Sequence, residues 1–331
     1  VSISVVTGGA GFIGTHLTRR LAQDGQQVRV FDVLISAASR ERAERLAKLP
    51  GVTVTEGDIR DAALCRSVLV GADFVFHHAA EVSVPQSIVD PAACLEVNLG
   101  GTVNLLEAAR LSQTLKRFVL ASSCAVYGDT SGDVKSEQSE VAPLSPYAVT
   151  KLAGEQLCRN YFQLHGVQTV CLRYFNVYGP DQDPNGAYAA VIPKFITAIL
   201  RNEKPTVYGD GGQSRDFVFV SDIADANLRA AAAGSEALGR VFNIGSGRGV
   251  SLTEILRQLG RITGQTIARD TQPARLGDIR DSRSDCREAA KLLEFSPKVT
   301  LEDGLARTLQ WYQTERLSSR GLQTFKELGY T

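Results

Sequence analysis

What the chain lacks narrows it first. It has no net charge, since 36 lysines and arginines balance 36 aspartates and glutamates. No overall field therefore draws it to nucleic acid or to a membrane, although a local basic site for a phosphorylated small molecule stays open. No apolar run approaches the ~18 residues that signal a membrane-spanning helix. The opening segment Val1-Ser2-Ile3-Ser4-Val5-Val6 lacks the basic start and cleavage site of a signal peptide and reads as a buried strand. Methionine is absent altogether, which together with Val1 suggests a processed or trimmed N-terminus. The six cysteines include no Cys-x-x-Cys, so buried thiols in a reducing, cytoplasmic compartment are expected rather than a disulfide framework. The four histidines show no zinc-ligand spacing. His77 and His78 are neighbours on an expected strand, point to opposite faces and are poorly placed to share an ion, so no metal is expected.

What is present is a repeating alternation. Ile3–Thr7 is β-rich and is followed by a glycine loop, a helical pattern over Phe12–Gln23 and a stop at Gly25. Gln27–Phe31, Val52–Thr55, Phe74–His77, Phe118–Ala121 and Thr169–Arg173 are short apolar runs suited to buried parallel strands. Arg40–Lys48, Pro91–Arg110 and Pro146–Phe162 are expected helices. Parallel neighbours need crossover connections, so this succession predicts an α/β fold with a Rossmann-type doubly wound parallel sheet. After Asn176 the elements shorten: Val191–Leu200, Thr206–Tyr208, Asp222–Ala233, Val241–Ile244 and Leu252–Leu259. The expected organisation is a first domain over residues 1–175 and a smaller C-terminal α/β substrate domain over 176–331, with some segments of the second returning to the large sheet.

The strongest local signal is Thr7-Gly8-Gly9-Ala10-Gly11-Phe12-Ile13-Gly14, between a strand and a helix. Its glycines allow a tight turn and let backbone N–H groups approach a pyrophosphate, which the helix N-terminus also favours. Asp32, at the end of the second strand, stands where an acid meets the ribose hydroxyls of a dinucleotide; its charge would repel a 2′-phosphate, so NAD is preferred to NADP. Tyr147 and Lys151 are four residues apart behind a cap at Ser145 and a first-turn proline, Pro146, and so share a helix face. A free tyrosine has a pKa of ~10. An ammonium and a nicotinamide cation nearby would favour its phenolate and make Tyr147 a base near neutrality. Taken alone, the pair fits an ordinary surface helix equally well.

The glycine loop, Ser122-Ser123-Cys124-Ala125-Val126-Tyr127-Gly128, Tyr147-x-x-x-Lys151 and Arg173-Tyr174-Phe175-Asn176-Val177-Tyr178-Gly179-Pro180 together resemble the extended short-chain dehydrogenase/reductases, in the same order and spacing. Gly209–Phe217 and Asn243–Gly247 continue the match, which spans essentially the whole chain and points to the NAD-dependent epimerase/dehydratase branch, closest to UDP-hexose 4-epimerases. The resemblance implies that Ser123, Tyr147 and Lys151 are catalytic. It implies that Gly8, Gly11, Phe12, Ile13, Gly14, Asp32, Asp58, Ile59, Ala79, Ala80, Asn98, Tyr147, Lys151 and Tyr174 line NAD. Ser83, Ser123, Asn176, Ala190, Val191, Phe195, Thr206, Tyr208, Arg215, Arg275, Asp278 and Ser282 fall where relatives hold the nucleotide sugar. Arg215 and Arg275 suit a diphosphate, and Asp278 suits ribose hydroxyls.

Within that family the sugar is oxidised at C4. Dehydratases and decarboxylases then need further acids beside the Ser/Thr, where this chain has Cys124-Ala125; epimerisation needs only turning of the keto sugar. The resemblance therefore implies a UDP-hexose 4-epimerase. Ser282 falls at the family's gate position, where a small residue leaves room for a 2-acetamido group, so UDP-GlcNAc and UDP-GalNAc are expected alongside UDP-Glc and UDP-Gal. UDP-glucuronate 4-epimerase is the nearest rival, opposed by Asn176 where those enzymes commonly carry Thr. A non-catalytic NAD sensor is the alternative from another class. Relatives dimerise through a four-helix bundle, which here would use Pro91–Arg110 and Pro146–Phe162.

Overall fold

A computed structural model describes residues 1–184, 190–274 and 280–316. The first seven strands are β1 (Ile3–Thr7), β2 (Gln27–Asp32), β3 (Val52–Glu56), β4 (Phe74–His77), β5 (Arg117–Ser123), β6 (Val134–Lys135) and β7 (Thr169–Tyr174). They are followed by β8 (Asn176–Tyr178), β9 (Thr206–Tyr208), β10 (Ser214–Phe219), β11 (Arg240–Ile244), β12 (Gly249–Ser251), β13 (Asp270–Gln272) and β14 (Asp281–Ser284).

The central sheet has seven strands in the order β11-β7-β5-β4-β1-β2-β3, every pair parallel. Its strands are buried on both faces: Val5, Val6, Val75, Phe118 and Val119 have no exposed surface. Each such side chain contributes about 1.5–3 kcal/mol of apolar burial, which is why the runs are nearly continuous in Val, Ile, Leu and Phe. Strand order reverses between β1 and β4, and the loops leaving these two strands meet there, at the point where ligands bind in doubly wound sheets.

A second sheet of five strands runs β12-β10-β14-β6, with β8 paired to the far end of β10. The two sheets exchange strands. β11 comes from the second half of the chain but lies beside β7 in the central sheet, and β6 comes from the first half but pairs with β14. A two-stranded ribbon joins β9 to β13.

The helices that build the site are α1 (Phe12–Gln23), α2 (Ala37–Leu46), α3 (Ala62–Val68), α4 (Val84–Val89), α5 (Pro91–Leu95), α6 (Gly101–Leu111), α7 (Pro146–His165) and α8 (Val191–Leu200). α7 starts as its sequence leads one to expect, with Ser145 Oγ accepting from the Ala148 N–H at 3.2 Å and Pro146 in the first turn. One expectation is corrected. Pro91–Arg110 is not a single regular helix, because a π-helical turn over Glu96–Gly100 separates α5 from α6. That turn carries Asn98 inward, and such local widening is common at functional sites.

Candidate active site

The cofactor crevice is built where β1 and β4 diverge. Gly8 has φ +65°, and a Cβ there would lie 2.6 Å from the Ala79 nitrogen; at Gly14 a Cβ would lie 2.2 Å from the Gly8 carbonyl oxygen. Larger residues would push the two loops apart. α1 begins at Gly11 with no side-chain cap, which leaves its first N–H groups, those of Phe12, Ile13 and Gly14, for an anion at the helix end. Asp32 is anchored by N–H groups from Ala10 at 3.0 Å and Leu34 at 3.1 Å, which hold its carboxylate at the end of β2.

The loop after β3 presents Asp58 and buried Ile59. The Arg60 guanidinium beside Asp58, 2.7 Å away, holds that carboxyl below the usual range. Ala79 donates to Thr7 Oγ1 at 3.2 Å, and Ala80 follows it half-buried. Asn98 ties the next turn: its Oδ1 accepts from Glu81 N at 2.7 Å, and its Nδ2 donates to Thr150 Oγ1 on α7 at 2.9 Å. Tyr174 stacks on His78 at 6.0 Å between ring centres and bonds Asn227, with burial pushing its phenol up. The two histidines do diverge. His77 bridges Thr7 and Thr102 at 2.7 and 2.9 Å, while His78, pushed down to about 3 by burial, stays neutral against Tyr174. Among the described residues no cluster of His, Cys, Asp and Glu is placed to hold a metal ion, and no helix is long and apolar enough to cross a membrane.

Tyr147, Lys151 and Ser123 come together above the C-terminal end of β5. Tyr147 hydrogen-bonds Ser123, and the Lys151 Nζ lies 5.7 Å from the centre of the Tyr147 ring while donating to the Ala121 carbonyl at 2.9 Å. Burial pushes the phenol up to about 12, with the Ser123 hydrogen bond opposing it, and pushes the Lys151 ammonium down to about 8. The protein's own groups thus favour a neutral phenol; the expected lowering invokes a nicotinamide cation beside it as well as the ammonium. Desolvation is the largest influence on the phenol, and the Lys151 ammonium gives its hydrogen bond to a carbonyl rather than to Tyr147.

Tyr147 also forms part of the wall of a cavity of about 780 Å3 whose other walls include β8, β9, β10 and α8. Asn176, Ala190, Val191, Phe195, Thr206, Tyr208 and Arg215 line it as well. Asn176 is steadied by Nδ2 donating to the Asp216 carbonyl at 3.2 Å, and Arg215 Nη1 donates to the Ser214 carbonyl at 2.8 Å. Three expectations are placed differently. Ser83 caps α4, accepting from Gln86 N at 3.1 Å, and is not part of the cavity wall. Ser282 pairs with Arg215 across β10 and β14, one strand back from the wall. Ser123 is not itself part of the cavity wall and adjoins it at Tyr147. Arg275 and Asp278 lie outside the described residues.

The sequence reading missed several lining residues, among them Val82, Gln182, Lys194, Glu203, Lys204 and Gln213. The two lysines were open to inference. They lie on or just after Val191–Leu200 and ahead of Thr206–Tyr208, two segments already assigned to an anionic substrate.

The description "NAD dependent epimerase/dehydratase family" matches residues 4–245. The UDP-glucose 4-epimerase of Mycolicibacterium smegmatis is 38% identical over 315 residues, covering 94% of this chain and 99% of that one. Among solved structures, the UDP-N-acetylglucosamine 4-epimerase of Methanobrevibacter ruminantium, in complex with UDP-N-acetylmuramic acid, superposes with a TM-score of 0.89 at 35% identity, covering 95% of this chain and 99% of that one. The UDP-glucose 4-epimerase of Thermotoga maritima with UDP-glucose gives 0.87 at 35% identity, covering 94% and 98%.

The chain belongs to the NAD-dependent epimerase/dehydratase family.

As a member of that family, the extended short-chain dehydrogenase/reductases, it is an enzyme of nucleotide-sugar chemistry with NAD as cofactor. The crevice fits that group on its own evidence: two loops packed too closely for a Cβ, an uncapped helix N-terminus for a pyrophosphate, and an anchored carboxylate for ribose hydroxyls.

Proposed function

We propose that this family member is a 4-epimerase of UDP-hexoses, interconverting UDP-Glc and UDP-Gal and also UDP-GlcNAc and UDP-GalNAc. NAD, when bound, supplies the reversible hydride acceptor for C4. The chain's own residues handle the proton: Tyr147, as the phenolate that a bound nicotinamide cation would favour, takes it from the 4-hydroxyl and gives it back once the keto sugar has presented its other face. Ser123 hydrogen-bonds the same oxygen, and the Lys151 ammonium supplies positive charge beside the phenol.

One observation carries the reading. Tyr147 faces the cavity joined to Ser123, while the next residues, Cys124 and Ala125, offer no acid for dehydration, the Cys124 thiol being pushed up to about 12 by burial. Arg215 and Lys204 on the cavity wall suit a diphosphate. The six free cysteines suit a reducing cytoplasm.

The test is a coupled epimerase assay on protein purified without added NAD, with UDP-Glc and UDP-GlcNAc in parallel. Conversion of both supports recycled, retained NAD and the wider pocket. A Tyr147→Phe variant that still binds NAD should lose roughly 100- to 10,000-fold in kcat, the usual weight of a general acid–base group. Absence of turnover with either sugar, even with NAD supplied, would overturn the reading and move UDP-glucuronate to the front.

A further inference from the structure

Three consecutive residues of β5 each hold one residue of α7. The Ala121 carbonyl accepts from Lys151 Nζ at 2.9 Å, Ser122 Oγ donates to Glu155 Oε1 at 2.5 Å, and Ser123 hydrogen-bonds Tyr147. Tyr147, Lys151 and Glu155 follow one another at intervals of four residues, on one face of the helix. Glu155, 2% exposed, also receives a bidentate contact from Arg173, with Nε at 2.8 Å and Nη2 at 2.7 Å. Arg173 is the register partner of Ser122 on the neighbouring strand β7. A single buried carboxylate thus ties the helix to two adjacent strands, one turn beyond the lysine.

A pair this buried is weak evidence for stability, because desolvation offsets much of its attraction. Its geometric effect is larger. Sliding α7 by one residue, about 1.5 Å, would break all of these links together.

We propose that Glu155 is a positioning residue for Tyr147 and Lys151, fixing the height and rotation of α7 against β5 and keeping a negative charge one turn from the Lys151 ammonium. The inference rests on the reading of Tyr147 and Lys151 as the proton-handling pair. The titratable groups around Lys151 are Tyr147 and Glu155 on α7, Cys94 on α5, and His77 and His78 at the end of β4. The two histidines stay neutral through burial. Burial lowers the Lys151 ammonium, and Cys94 and then Glu155 act to raise it.

The test uses the NAD-loaded enzyme and two variants. Glu155→Gln keeps the shape and removes the charge, and Glu155→Gln with Arg173→Met also removes the guanidinium that would be left buried and unpaired. Turnover is measured beside competitive acylation of the Lys151 amine against pH, read by mass spectrometry. The acylation reports the lysine whether or not a productive sugar has been found, so failure of the functional reading, seen as no turnover by the parent enzyme, is distinct from failure of this one. The expected result, in whichever variant melts near the parent temperature, is a kcat lowered roughly 10- to 100-fold with KM within about twofold. In Glu155→Gln the Lys151 acylation curve should move to lower pH as well. A folded Glu155→Gln with an unmoved acylation curve, or either folded variant with kcat within about twofold of the parent, overturns the proposal.

Discussion

The Lys151 ammonium and the Ala121 carbonyl are 2.9 Å apart, and this bond lies inside a buried site where burial holds the lysine down at about 8 rather than its ordinary 10.5. A lysine lowered in the folded state binds its proton less tightly there than in the unfolded chain. Between those two values the unfolded chain carries more protons, so stability rises with pH across that window. Below about 8 both states are charged and the folded one bears the full desolvation cost.

Lys151→Met should therefore melt at a higher temperature than the parent at pH 7, measured by calorimetry at constant NAD. Its advantage should shrink as pH rises from about 8 towards 10.5. A difference that stays constant across that range would show that burial does not strain this lysine. The same variant should be nearly inactive, so stability and activity separate at one position.

The glycine loop makes a second prediction. A methyl group at Gly14 would sit 2.2 Å from the Gly8 carbonyl oxygen, in backbone that has no flexible end to yield. Gly14→Ala should cost roughly 1–3 kcal/mol of overpacking. If that falls on cofactor affinity it is about 5- to 150-fold. The protein should then purify with less NAD, read from the nucleotide released on denaturation. Full retention of NAD would place the pyrophosphate elsewhere.

How much of this could be read beforehand follows from length and periodicity. Phe12–Gln23, Phe74–His77, Val191–Leu200 and Thr206–Tyr208 end where the sequence pattern ends, because apolar spacing and glycine stops mark them. The π-helical turn at Glu96–Gly100 left no mark, since one extra residue in a turn barely disturbs a helical apolar stripe. β6 and β14 are too short for alternation to show, and β6 pairs with a strand almost 150 positions away. Of the site, the glycine loop and the Tyr147–Lys151 spacing were legible as local patterns. Gln182 and Gln213 were not, because they reach the cavity through loop geometry rather than through any spacing.

A third prediction concerns the outer face of the site. Ile88, Val89, Leu95 and Val149 are 61%, 77%, 41% and 45% exposed, on or beside the helices α4, α5 and α7. Apolar side chains grouped on adjoining helices suit burial against a second copy. The parent is expected to sediment as a dimer at micromolar concentration, and a Leu95→Glu, Val149→Glu double variant as a monomer with NAD still bound. A parent that sediments as a monomer at micromolar concentration would remove the dimer.

Substrate breadth is tested at Ser282. It is half-buried on β14 in register with Arg215, which lines the cavity, so a larger side chain there would press on Arg215 from the neighbouring strand. A hydroxymethyl leaves space; a phenol ring would take it. Ser282→Tyr should lower kcat/KM for UDP-GlcNAc by roughly 10-fold or more relative to UDP-Glc, in the range that pocket size alone can discriminate. The acetamido group adds bulk at C2 and leaves the reacting C4 unchanged, so the loss should fall on discrimination between the sugars while conversion of UDP-Glc continues. Equal treatment of both sugars by parent and variant would show that Ser282 does not set the size limit, and that the acetamido group meets a different part of the wall.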